Sequence, residues 1–102
     1  MIDLQPDHLT EVQRILRDLV PGVEVRAFGS RVTGSAARFS DLDLVLMGDG
    51  ALNWRLIESL KDAFSESDLP FTVDVLDWHT IPDSFRDIIS RQYEVLQAPA
   101  GV

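Results

Sequence analysis

Residues 41–47 read DLDLVLM, and no other stretch of the chain constrains its fold so tightly. A run rich in Leu and Val, with a polar loop before it and Asp49-Gly50 after it, predicts a strand. Side chains alternate along a strand, so Leu42, Leu44 and Leu46 share one face while Asp41 and Asp43 share the other. The leucine face has to be covered, which requires a sheet with at least one buried side. The other face then holds two carboxylates in one small patch. Like charges so close cost stability unless a cation neutralises them, and hard oxygen ligands suit Mg²⁺ or Mn²⁺. The same two residues could also simply begin an exposed strand after a loop.

The remaining periodicities supply what covers that sheet. Leu9, Val12, Leu16, Leu19 and Val20 keep helical spacing and predict a first helix, opened near Pro6 and closed by Pro21-Gly22. Residues 23–28 alternate and predict a strand that Gly29 ends. A loop rich in Gly, Ser, Ala and Arg, with room for a short helix, leads to Ser40. Leu52, Leu56, Ile57, Leu60, Ala63 and Phe64 predict another helix, residues 71–76 a third strand, and Ile81, Phe85, Ile88 and Ile89 a last helix begun at Pro82. Residues 93–96 read as a short extended tail. This order predicts a small two-layer α/β domain, its sheet covered by helices on one face. At 102 residues, 45% hydrophobic and 25% charged, one globular domain over residues 1–97 is expected, with a frayed tail over residues 98–102.

Charge and cysteine content narrow the function classes. Seventeen acidic residues face nine basic ones, a net charge of −8. Such a chain lacks the basic footprint of a nucleic-acid binder, so no direct nucleic-acid partner is expected. The absence of cysteine removes disulfides and thiolate metal sites, and His8 and His79 are too few for a zinc cage. The opening residues MIDLQPDH carry neither a basic nor an apolar leader, and charges break the apolar stretches. A cytoplasmic protein with no membrane contact is expected.

A third acid, Asp74, lies in an apolar run as Val73-Asp74-Val75. If that strand neighbours residues 41–47 with matching faces, Asp74 completes a cluster of three. Three carboxylates suffice to hold two metal ions about 4 Å apart for an in-line displacement at phosphorus. Asp77 competes for the role but has the opposite strand parity, so Asp74 is preferred unless the strand has already ended. Gly29-Ser30 stands where the first strand turns, and there a glycine lets a phosphate approach the backbone while the serine offers donors. A Gly-Ser turn after a strand is, by itself, common. The cations are eight arginines and one lysine, and Arg31 and Arg38 are the candidate phosphate contacts. Arg26 belongs on the outer face, and Trp78 and His79 read as packing or surface residues.

Gly29-Ser30, ten residues, Asp41-Leu42-Asp43, and later Val73-Asp74-Val75 on a strand together resemble the signature of the polymerase-β-type nucleotidyltransferases. The segment FGSRVTGSAARFSDLDLVL is similar to the minimal nucleotidyltransferase group, the antitoxins of HEPN-domain toxins. The likeness runs from the strand at Val23 to the helix after Pro82, with the first helix also as expected. It implies a two-layer fold with a mixed three- to four-stranded sheet. It implies that Gly29 and Ser30 hold the β- and γ-phosphates of ATP, and that Asp41 and Asp43 bind two Mg²⁺ or Mn²⁺ ions. Asp74 would ligate the metal beside the acceptor hydroxyl. AMP would pass to a hydroxyl, a tyrosine by preference, of a cognate HEPN ribonuclease and silence it. Antibiotic-modifying and RNA-tailing members of the superfamily add a helical domain that this length is not expected to supply, so the acceptor would come from a partner. An antitoxin that neutralises by binding alone is the alternative, and retention of every motif residue favours the enzyme. A calcium loop fits poorly, because Val45 and Leu46 stand where an EF-hand needs an oxygen ligand and a glycine.

Overall fold

A computed structural model of the chain describes residues 2–37 and 40–100. Helix α1 (Pro6–Leu19) opens with proline in its first turn, where a missing N–H costs nothing, and turns Val12, Ile15 and Leu16 inward. Strand β1 (Glu24–Phe28) follows the turn at Pro21-Gly22 and leads through Gly29 into α2 (Ser30–Thr33), a single turn ended by Gly34 in the left-handed conformation. Strand β2 (Leu42–Met47) begins one residue later than expected, which leaves Asp41 just outside it. Helix α3 (Trp54–Ser65) is capped by the Asn53 side chain, which accepts from the Arg55 N–H.

Strand β3 (Val73–Asp77) is shifted two residues later at its start than the sequence suggests, and a 3₁₀ turn (Trp78–Thr80) joins it to α4 (Asp83–Arg91). The expected extended tail is a true fourth strand, β4 (Glu94–Gln97). In the segment after it Ala100 donates its N–H to the Gly22 carbonyl at 3.0 Å.

The four strands form one mixed sheet in the order β3-β2-β1-β4. β1 is antiparallel to both β2 and β4, while β2 and β3 run parallel, a pairing that needs the crossover α3 provides. Leu42, Leu44 and Leu46 are fully buried, as their alternation requires, and join Val25, Ala27, Val73 and Val75 against α1 and α3. Replacing Leu44 with Ala would cost about 2–5 kcal/mol in lost burial and cavity formation. The sheet has a second, smaller apolar cluster on its other face, where Phe28 and Val45 meet Ile89 of α4, with Phe85 and Leu76 beside them. The helices that cover the leucine face are thus α1 and α3, and α4 closes part of the opposite face, a contact that the expectation of one covered face left out. What remains open on that side is the end of the sheet where β1 finishes and β2 and β3 begin. Among the described residues no helix is long and apolar enough to cross a membrane.

Candidate active site

At that open end the strand registers bring the expected acids together. Asp43 is paired with Phe28, the last residue of β1, and on its other side with Asp74 of β3. Direct pairing in parallel strands puts both side chains on the same face, so Asp43 and Asp74 project side by side on the face opposite the leucines. Asp41, exposed, lies immediately before the strand. Asp43 is only partly exposed, and its carboxyl is raised above the ordinary aspartate range by that burial first, then by the charges of Asp74 and Asp41. None of the three carboxylates has a hydrogen bond or ion pair to another described side chain. Among the described residues, then, nothing pairs with the negative charge of the cluster.

Gly29 is fitted against this patch. Its backbone sits at φ 80°, ψ −158°, a region essentially reserved for glycine, and a Cβ placed there would collide with Oδ2 of Asp43. The turn can approach the carboxylate only because it has no side chain. Ser30 opens α2 directly beyond it, so the Gly-Ser turn begins against the Asp43 carboxylate.

The donor set fits a hard divalent cation, but not a closed cage. Among the described residues no group of three carboxylate or imidazole side chains converges enough to enclose an ion. Mg²⁺ is commonly held by one or two carboxylates with the rest of its shell from water and substrate phosphates, and an open pair of aspartates beside a glycine turn suits that division.

Asp77 and Arg31 are both buried. Asp77 is 7% exposed on the leucine side of the sheet, where its carboxylate accepts the Leu52 N–H at 2.7 Å and the His79 N–H at 3.0 Å. It caps the 3₁₀ turn and anchors the loop before α3, so it does not belong to the acidic patch. Arg31, expected at the phosphates, is 6% exposed, and its guanidinium donates to the carbonyls of Ser40 and Asp3, each at 2.9 Å, while lying over the Phe71 ring at 4.4 Å. The guanidinium is thus engaged by the protein's own carbonyls and the Phe71 ring rather than presented to solvent. Arg38 lies outside the described residues. Arg26 is on the face opposite the main core, as expected, paired with Glu24 and stacked over Tyr93 at 4.3 Å. Trp78 packs in the second cluster, and the His79 ring meets the Gly48 carbonyl at 2.6 Å, both structural contacts. Sequence reasoning missed the capping role of Asp77, whose signal was its place two residues before His79 at the end of a strand.

The family model described as "Nucleotidyltransferase domain" matches residues 9–97. A probable protein adenylyltransferase MntA of Haemophilus influenzae is 48% identical over 96 residues, covering 94% of this chain and 84% of that protein. Among solved structures, a toxin-antitoxin complex with AMP-PNP superposes with a TM-score of 0.67 at 23% identity, over 90% of this chain and 74% of the other. A tri-AMPylated Shewanella oneidensis HEPN toxin in complex with its MNT antitoxin gives 0.59 at 20% identity, over 88% and 69%. At these identities the two structures bear on the fold.

Proposed function

The chain belongs to the nucleotidyltransferase domain family, and from that premise we propose that it is a protein adenylyltransferase antitoxin. It moves AMP from ATP to a hydroxyl of a HEPN-domain toxin and thereby silences that toxin. The observation that carries the reading is the side-by-side register of Asp43 and Asp74 against a glycine turn, in a chain 48% identical to a probable protein adenylyltransferase.

Each residue has a part in the reaction so read. Gly29 and Ser30 receive the β- and γ-phosphates, the glycine by leaving room and the serine by donating. Asp41 and Asp43 hold two Mg²⁺ or Mn²⁺ ions, which when bound supply charge neutralisation at the triphosphate. Asp74, on the neighbouring strand, orients the acceptor hydroxyl and draws its proton as the oxygen attacks the α-phosphorus and pyrophosphate leaves. Catalysis is by position and electrostatics, without a covalent enzyme intermediate. A preferred acceptor is a tyrosine. The unit that performs this is the single domain of residues 1–97, and we place its work in the cytoplasm, where ATP is available. The net charge of −8 suits a basic protein partner better than RNA.

The test is to incubate the protein with α-labelled ATP, Mg²⁺ and its HEPN partner, locate the label by mass spectrometry and assay the toxin's ribonuclease activity. Label on the partner together with loss of its activity supports the enzyme. Full neutralisation at stoichiometric dose by the Asp41→Asn, Asp43→Asn double variant, with no label on partner treated with the unaltered protein, would establish an antitoxin that acts by binding alone.

A further inference from the structure

The commitment of Arg31 to the interior raises the question of what the fold gains by it. We propose that Arg31 is a positioning residue for AMP transfer: its buried guanidinium clamps the glycine turn to the segments that carry the acids, and so sets the spacing between the phosphate side and the metal side of the site. This rests on the reading above, in which Gly29-Ser30 and the aspartates hold opposite ends of one nucleotide.

Helix α2 is four residues long, and a single turn has too few internal hydrogen bonds to hold its own orientation. Its placement must come from outside. Arg31 Nε donates to the carbonyl of Ser40, the residue immediately before Asp41. Nη1 donates to the carbonyl of Asp3, and the Asp3 N–H donates in return to the Arg31 carbonyl at 2.6 Å, so residues 2–4 are strapped to both the side chain and the backbone of Arg31. The flat face of the guanidinium covers Phe71, three residues before Asp74. One group therefore touches the lead-in to Asp41 and the lead-in to Asp74 while its own backbone carries the turn after Gly29. From the other side, the Gln92 side chain donates to the Val32 carbonyl at 3.2 Å and holds the back of α2 against the end of α4.

The chemistry requires arginine. A planar fork can donate in two directions at once and still offer a stacking face, whereas a lysine ammonium is a point donor with no face. Charge alone would not serve.

Three variants test the clamp: Arg31→Met, Arg31→Lys and Asp3→Pro, the last removing the strap's N–H at an exposed position. Steady-state AMP transfer to the HEPN partner and amide hydrogen exchange are measured for each. The clamp predicts that all three lower kcat by about tenfold or more, since small misplacements of reacting groups are costly. KM for ATP stays within about threefold, because no ground-state phosphate contact is lost. The Val32 and Thr33 amides, which bond to the Gly29 carbonyl, exchange faster while β2 amides keep their protection. Combining Arg31→Met with Asp3→Pro does little more than the worse single change.

A rise in KM with kcat preserved, repaired by Arg31→Lys, would make Arg31 a phosphate contact and overturn the clamp. Unchanged kcat and unchanged exchange at α2 in Arg31→Lys and Asp3→Pro would overturn it too, even if Arg31→Met failed to fold. Should the unaltered protein transfer no AMP, the transfer reading falls, and the exchange data still decide whether Arg31 holds α2.

Discussion

Asp43 carries the strongest electrostatic tension in the site, and its consequences can be worked out residue by residue. Its carboxyl is raised by burial and by two neighbouring carboxylates, so the folded protein binds that proton more tightly than the unfolded chain does. Stability from this group is present at acid pH and is lost as pH rises through the raised value. Asp43→Asn should accordingly abolish AMP transfer yet raise the melting temperature of the metal-free protein at neutral pH, and the gain should vanish as the pH is lowered through the carboxylate range. Thermal melts in chelator across that range decide it, and a large loss of stability at neutral pH would make Asp43 a structural residue. Gly29 allows a sharper comparison. Gly29→Ala meets both a glycine-only backbone and the Asp43 carboxylate, and should cost about 1–3 kcal/mol as well as transfer activity. Gly34→Ala, at φ 87° with no atom of the described residues beyond its chain neighbours within 4 Å of the added carbon, should cost only about 1 kcal/mol and leave transfer largely intact. Equal penalties in urea titrations would mean that the contact with Asp43 does not matter.

At the scale of elements, the two acids of β3 divide the labour. Asp74→Asn should remove transfer with little change in stability. Asp77→Ala leaves the Leu52 and His79 amides without their acceptor and should cost about 1–3 kcal/mol while sparing the acidic patch. Melts and transfer assays on the pair decide this, and the reverse pattern would hand the third carboxylate role to Asp77. Strand parity made this division legible in the sequence, as it did the buried row of Leu42, Leu44 and Leu46, because alternation is a local rule. The helices α1, α3 and α4 were legible from spacing and from Pro6 and Pro82. The fourth strand was harder, since residues 94–97 gain strand character only by pairing with β1, far away in the chain. Arg31 was not legible at all. Two of its partners are main-chain carbonyls 28 residues before it and 9 after it, and a carbonyl has no residue type to read.

The molecule as a whole has net charge −8 and one open end, and both shape how it should answer to ligands. AMP-PNP with Mg²⁺ should raise the melting temperature saturably, by the equivalent of about 2.7 kcal/mol at a hundred times the dissociation constant, because only the folded sheet assembles the acids and the turn. Mg²⁺ alone should do less, since the open cluster lacks the phosphate ligands that complete its shell. Differential scanning fluorimetry over a ligand series checks both. A shift equally large without nucleotide would mean the aspartates form a self-sufficient metal cage.

The parallel pairing of β2 with β3 also dates the birth of the site. β1 and β2 can zip together across a short stretch of chain, but Asp74 reaches Asp43 only after the whole α3 crossover has folded and docked, a closure of higher contact order. A chain still emerging or half refolded thus has its leucine stripe and its glycine turn before it has a complete acidic trio. That late step runs uphill against charge, as the Asp43 carboxylate, with Asp41 beside it, repels the one arriving. Divalent ions in the refolding buffer should then act as a matchmaker for the last strand, hastening the final phase of folding and leaving the earliest collapse untouched.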